Sequence, residues 1–229
     1  MINRLVRICS YTKYVKCAIC GIRKPRRYCP GVRGDICTIC CGTEREQSVD
    51  CPLDCTYLRE AHQYERLTVI DPATIPNTDI RVTDSFLMEN ELLVGFLGNT
   101  VFAAALETPG ATDFDVREAL EALIKTYRTL ESGLYYETRP DNIYAANIVR
   151  YVQSKIQELK EQEQQERGMS TVRDSAILGV LAFLQRLEYG HNNGRKRSKG
   201  FLDFLSRLAP KPQPSSELAL EPDAQRIIL

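Results

Sequence analysis

CAICGIRKPRRYCPGVRGDICTICCGTEREQSVDCPLDC, residues 17–55, carries eight of the nine cysteines of this 229-residue chain within 39 positions. The spacing is C-x2-C-x8-C-x7-C-x2-C-C-x9-C-x3-C. The pairs Cys17/Cys20 and Cys37/Cys40 have the interval at which a tight backbone turn brings two thiolates onto one tetrahedral ion. Gly21, directly after Cys20, suits a turn that needs a positive φ. Asp50 and Pro52 have the character of an N-cap and a first-turn residue, which predicts Cys51 and Cys55 at i and i+4 on the first turns of a helix. There the positive end of the helix dipole favours their thiolate forms. Eight sulfurs make two four-thiolate sets. Adjacent residues point apart, so Cys40 and Cys41 are expected to serve different ions. The favoured partition is Cys17, Cys20, Cys37 and Cys40 for one zinc and Cys29, Cys41, Cys51 and Cys55 for the other. Exchanging Cys40 and Cys41 between the sets fits the spacing nearly as well. Cys9 is left as a free or packed thiol.

Other cysteine chemistries fit less well. A disulfide framework needs an oxidising compartment. The ferredoxin run C-x2-C-x2-C-x3-C-P is absent, and neither C-x-x-C follows a βαβ pattern of the thioredoxin kind. Two structural zinc ions remain, in a small treble-clef-like module. The run ICTICCGTEREQSVDCPLDCTYLREA, with CAICG upstream, resembles a cysteine-rich N-terminal module of uncharacterised bacterial proteins, and TYRTLESGLYYE further on resembles part of the same family. A more distant similarity is to HIT-type zinc fingers, through C-x2-C followed by Tyr28-Cys29-Pro30. The fourth HIT ligand is missing after Pro30, Cys51 stands where histidine is usual, and the Cys40-Cys41 pair is extra. The resemblance implies a style of fold and supplies no activity.

Working outward, Thr56–Arg66 predicts a helix and residues 67–83, with two prolines and no sustained period, a linker lying against something larger. From residue 84 the pattern is helical. Phe86, Leu93, Leu97 and Val101 form one stripe, with a break expected at Gly98-Asn99. Val116, Leu120, Leu123, Tyr127 and Leu130 form a second, opened by a capping box at Asp115/Glu118 and stopped by Gly133. Tyr144, Ile148, Val152, Ile156 and Leu159 form a third, whose KEQEQQER end projects into solvent. Ile177, Val180, Leu181, Leu184 and Leu187 form a fourth, closed at Gly190. The fold class is therefore mainly α: a cysteine module over 1–66, a linker over 67–83, a helical bundle over 84–208 and a disordered tail over 209–229.

The charges are segregated. Lys+Arg and Asp+Glu both number 30. Yet Arg4, Arg7, Lys13, Lys16, Arg23, Lys24, Arg26, Arg27 and Arg33 stand in residues 1–34 without one acidic residue. Residues 1–70 carry 12 basic and seven acidic side chains, or +5. Two zinc ions held by four thiolates each contribute −4, so most of that excess is expected to neutralise sulfur. Nucleic-acid binding through the basic residues, with Tyr11, Tyr14 and Tyr28 for stacking, is the alternative. Residues 71–140 carry 12 acidic against five basic side chains, a possible docking face. RKRSK at 195–199 is expected to be a solvated linker before an amphipathic segment that docks back on the bundle.

Nothing outside the cysteines looks reactive. His62 and His191 are isolated, the first expected on the surface and the second in a cap or loop. Glu118 and Glu121 fall on a polar helix face. G-x-S-x-G, P-loop, G-x-G-x-x-G and H-E-x-x-H motifs are absent, and all-cysteine zinc sites are normally closed to substrate. No stretch reaches the length of a membrane span. The expectation is a cytoplasmic, non-catalytic zinc protein that serves as an interaction adaptor or scaffold for a protein partner. The alternatives are a nucleic-acid-associated regulator and a thiol or metal sensor.

Overall fold

A computed structural model describes residues 15–65, 71–134 and 136–209. Cys9, Arg4, Arg7, Lys13, Tyr11, Tyr14 and the expected tail beyond residue 209 lie outside these residues, as does part of the linker. Strand β1 (Arg27–Cys29) pairs antiparallel with β2 (Gly34–Ile36), Cys29 facing Gly34. Two short helices follow, α1 (Thr38–Glu44) and α2 (Thr56–Tyr64), and then six more: α3 (Asp84–Glu89), α4 (Glu91–Leu106), α5 (Asp113–Glu131), α6 (Ile143–Arg167), α7 (Asp174–His191) and α8 (Gly200–Leu208).

The expected stripes become the core. Leu97, Val101, Val116, Leu120, Leu123, Val152, Ile177, Val180 and Leu181 are fully buried where α4, α5, α6 and α7 meet. Each such side chain contributes about 1.5–3 kcal/mol through apolar burial. Phe201, Leu202 and Leu205 of α8 join the same core, so that segment does dock back on the bundle. Tyr144 departs from its stripe and is exposed. Residues 71–83 lie against α7, where Arg186 donates to the carbonyls of Asn77 and Ile80, each at 2.7 Å.

Three boundaries differ from expectation for local reasons. The break between the first two bundle helices falls at Asn90, whose side-chain amide donates to the Phe86 carbonyl at 2.8 Å and stops α3. Gly98 lies inside α4, facing Leu184 and Leu205. The capping box sits one turn earlier than Asp115/Glu118, because Asp115 reaches back to accept from the backbone N–H and hydroxyl of Thr112, both at 2.7 Å. Helix α7 runs past Gly190 to His191, whose ring stacks on Phe204 at 4.0 Å. The polar end of α6 is exposed as expected, and Glu163 there accepts from the backbone of Thr171 and Val172.

Candidate metal centre

The sulfurs of Cys17, Cys20, Cys37 and Cys40 all lie within 4.8 Å of one another. A tetrahedral zinc with four Zn–S bonds of about 2.3 Å sets sulfurs roughly 3.8 Å apart, so this donor set fits a thiolate-bound ion with a small contraction. Two local structures deliver it. The first is a turn in which Gly21 N donates to Cys17 O at 2.8 Å, and Gly21 takes φ +64, as its position after Cys20 implied. The second is the start of α1, where Cys37 is the N-cap and its sulfur accepts from Cys40 N at 3.4 Å. Cys37 N in turn donates to the Cys17 sulfur at 3.2 Å, joining turn to helix.

The thiols are matched to a cation. Burial opposes ionisation of Cys17, but the backbone N–H groups of Cys20, Cys37 and Ile19 outweigh it and lower its pKa to about 6. Cys40 goes the other way, pushed up to about 12 by burial and by the sulfurs of Cys37, Cys20 and Cys17. Without a cation the cluster ionises in part and repels its last proton loss; a divalent ion removes that repulsion. Arg23 faces the sulfurs of Cys37 and Cys20, which raise its pKa, so one of the N-terminal arginines does stand against thiols.

The helix-borne ligand pair is Cys37/Cys40, which corrects the placement of Cys51 and Cys55. Cys51 lies in a loop and Cys55 is the N-cap of α2, which begins only at Thr56. Residues 52–55 instead form a turn, in which Cys55 N donates to Pro52 O at 3.0 Å, and Asp50 accepts from Lys199 Nζ at 2.6 Å rather than capping a helix. Cys29, Cys41, Cys51 and Cys55 line one cavity of 20 Å³. Among the described residues, no three of their sulfurs satisfy the mutual 4.8 Å separation that the first set does.

A second cluster escaped the sequence. The His62 side chain is 4% exposed and lies between two carboxylates, its Nε2 3.1 Å from Glu46 and its Nδ1 3.1 Å from Asp203. Burial alone would lower its pKa, but Asp203 and Glu46 push it up to about 9. The same pairing holds Glu46 and Asp203 below the usual carboxylate range despite their burial. Glu46, fully buried, also accepts from Lys199 N at 2.6 Å and Asn193 Nδ2 at 2.8 Å, while its carbonyl accepts from Arg197 N at 2.8 Å. Glu46, His62 and Glu65 place ligand atoms within 4.8 Å of one another. With both ring nitrogens of His62 facing carboxylates, this cluster has the character of a buried imidazolium ion pair rather than a metal site.

RKRSK is accordingly not a solvated linker. Arg195 donates to Arg45 O at 2.9 Å, Ser198 is buried, and Lys199 is 9% exposed against Asp50. The segment straps the loop Arg45–Asp50 to the bundle. Asp113 anchors its far end, accepting from Ser198 Oγ at 2.6 Å and from the backbone of Phe201 and Leu202. Burial pushes Asp113 up to about 6 against those donors. Glu118 accepts from Asn142 and Glu121 pairs with Lys125, neither beside a histidine.

Among the described residues, no helix is long and apolar enough to cross a membrane. Comparison with family models, with curated proteins and with solved structures returned no match, so the resemblances rest on the cysteine motif itself.

Proposed function

We propose that this chain is a non-catalytic zinc protein in which a metal-folded, treble-clef-like knuckle is held rigidly on a helical bundle and serves as an adaptor surface for a protein partner. The observation that supports it most is the Cys17/Cys20/Cys37/Cys40 cluster. Four sulfurs stand near tetrahedral spacing, three backbone N–H groups help to ionise Cys17, and Cys40 keeps its proton until a cation arrives. When bound, zinc supplies cross-linking of the knuckle to α1 and no open coordination position for substrate. Turn, hairpin and helix N-terminus, in that order, are the parts of a treble clef.

The strap supports an adaptor more than an independent finger. Hydrogen bonds from residues 193–199 immobilise the loop after α1, so the knuckle presents one fixed face and binding loses little orientational freedom. The nucleic-acid alternative is weakened where arginines are engaged by sulfur: Arg27 and Arg45, both half-buried, face Cys41. Elemental analysis of the purified full chain tests the metal, with at least one zinc per chain expected and none overturning the proposal. Filter binding to single- and double-stranded nucleic acid at rising salt tests the role. Tight binding with a steep salt slope would replace the adaptor with the nucleic-acid reading. The expected result is no salt-sensitive binding, with zinc-dependent capture of a protein that the Cys17→Ser/Cys20→Ser variant fails to retain.

A further inference from the structure

We propose that Cys29, Cys41, Cys51 and Cys55 form a second thiolate site, for a soft divalent cation of the zinc class, which the ion itself draws closed. The inference deepens the zinc reading above and rests on it for the identity of the metal. Four chain segments converge on this site: the end of β1 brings Cys29, α1 brings Cys41, a loop brings Cys51, and the N-cap of α2 brings Cys55. All four side chains line the same small cavity, walled elsewhere by Pro30, Ile36, Pro52 and Leu58. Its 20 Å³ is the space of about one water-sized sphere, enough for an ion and too little for an organic ligand.

Gly31 makes the convergence possible. A Cβ at this position would collide with the Asp50 carbonyl oxygen and lie 2.8 Å from Val49 Cγ1. The hairpin that carries Cys29 therefore presses directly on the backbone that leads into Cys51.

The charges around the cavity lack a counterpart unless the thiols ionise. Guanidinium nitrogens of Arg27 and Arg45 each lie 3.7 Å from the Cys41 sulfur. Among the described residues neither arginine pairs with a carboxylate, and Arg27 Nε is buried without a hydrogen-bond partner. Arg27 also lies over the Tyr57 ring, 3.7 Å from its centroid, which holds it in place. Two cations beside four neutral thiols gain only weak N–H···S hydrogen bonds from them. Beside a divalent ion with four thiolates, a centre of net charge −2, they are neutralised. In the binding step four S–H bonds break and four S–metal bonds form, and the four protons pass to solvent.

The two sets differ in readiness. The Cys17 set already has its sulfurs within 4.8 Å of one another, whereas the Cys29 set must contract. The first equivalent of metal therefore enters the Cys17 set and the second closes the Cys29 set.

The test uses the full chain, stripped of metal under reducing conditions and titrated with Co(II) alone. Absorption in the thiolate-to-cobalt charge-transfer band should rise through two equivalents. Alkylation mapped by mass spectrometry should show Cys17, Cys20, Cys37 and Cys40 protected after one equivalent, and Cys29, Cys41, Cys51 and Cys55 only after two. The Cys29→Ser/Cys55→Ser variant should bind one equivalent; if it fails to fold, the mapping on the unmodified chain decides. Saturation at one equivalent, with the Cys29 set alkylated throughout, overturns the proposal. So does a second equivalent that survives Cys29→Ser/Cys55→Ser but disappears in His62→Gln/Glu65→Gln, which would place the ion between Glu46, His62 and Glu65. Failure of the first site is read separately, as alkylation of the Cys17 set at saturating metal.

Discussion

The cysteine module and the helical bundle keep their shape by different means. In the bundle, four helices and α8 bury one continuous apolar core in which Leu97, Leu120, Leu123, Ile177 and Leu181 are each inaccessible to solvent. Around the cysteines, the buried apolar side chains other than cysteine are, among the described residues, Ile36, Val49 and Leu58. Three such residues are far too few to offset the chain entropy of some 50 ordered residues. On the proposed reading, what replaces a core there is charge: metal-bound thiolates, the arginines that face them, and the Glu46–His62–Asp203 triad. The contrast teaches where each half fails. One is sensitive to cavities, the other to anything that changes ionisation.

Removing the metal should have the largest effect. Structural zinc contributes on the order of 10 kcal/mol or more in small thiolate modules at neutral pH. Chelation should unfold residues 17–65, while most of the helical circular dichroism survives because α1 and α2 have only seven and nine residues. Hydrogen exchange at Arg197 and Lys199, whose amides donate to Glu46, should accelerate at the same time. Loss of the whole helical signal would show instead that the two halves are one cooperative unit. Glu46→Ala comes next, at about 3–5 kcal/mol, since it leaves a buried imidazolium with one partner fewer. Denaturant unfolding should assign that loss to the module and strap. Leu120→Ala, at about 2–5 kcal/mol, should lower the bundle transition and leave metal affinity unchanged.

A pH series separates the halves more gently. His62 is held above its ordinary 6.5, up to about 9, so its contribution is complete below pH 6.5 and is lost as the pH rises through 9. Glu46 and Asp203 are held low, so theirs is present above the usual carboxylate range and is lost as the pH falls below it. Asn193, Lys199 and Arg207 also contact these carboxylates, and of them Lys199 acts through its backbone. The alkaline arm is the cleaner one, because acid also protonates zinc ligands. The thermal midpoint should fall between pH 8 and 10 in the native chain and stay flatter in His62→Gln. The smallest effect is expected from Lys125→Ala, whose exposed pair with Glu121 is of a kind that contributes about 0.3–0.5 kcal/mol. A larger loss there would blur the contrast, since the bundle would then depend on surface charge too.

The same contrast decides what could be read from the chain. The stripes from Val116 to Tyr127 and from Ile177 to Leu184 were legible because burial imposes a 3.6-residue period on neighbouring residues. Cys17, Cys20, Cys37 and Cys40 were legible because a tetrahedral ion constrains spacing. His62 was not: its two partners lie 16 and 141 positions away, and no local pattern marks a residue whose environment is assembled from that distance. Asp50 misled for a related reason. Its sequence neighbours offer it a helix to cap, but Lys199, 149 positions later, takes the carboxylate.

The strap also has a consequence for the order in which the chain becomes native. Glu46 and Lys199 are 153 residues apart, so the contact that buries this carboxylate closes a long loop, at a high cost in chain entropy. During synthesis the cysteines emerge first and can capture metal at once. The residues that desolvate Glu46 follow only after the whole bundle has been made, roughly 8–30 s later at ordinary elongation rates. For that interval the face that the strap will cover is open to solvent. A nascent knuckle that had taken up metal would be loaded but unlatched, with its latch 153 residues behind Glu46.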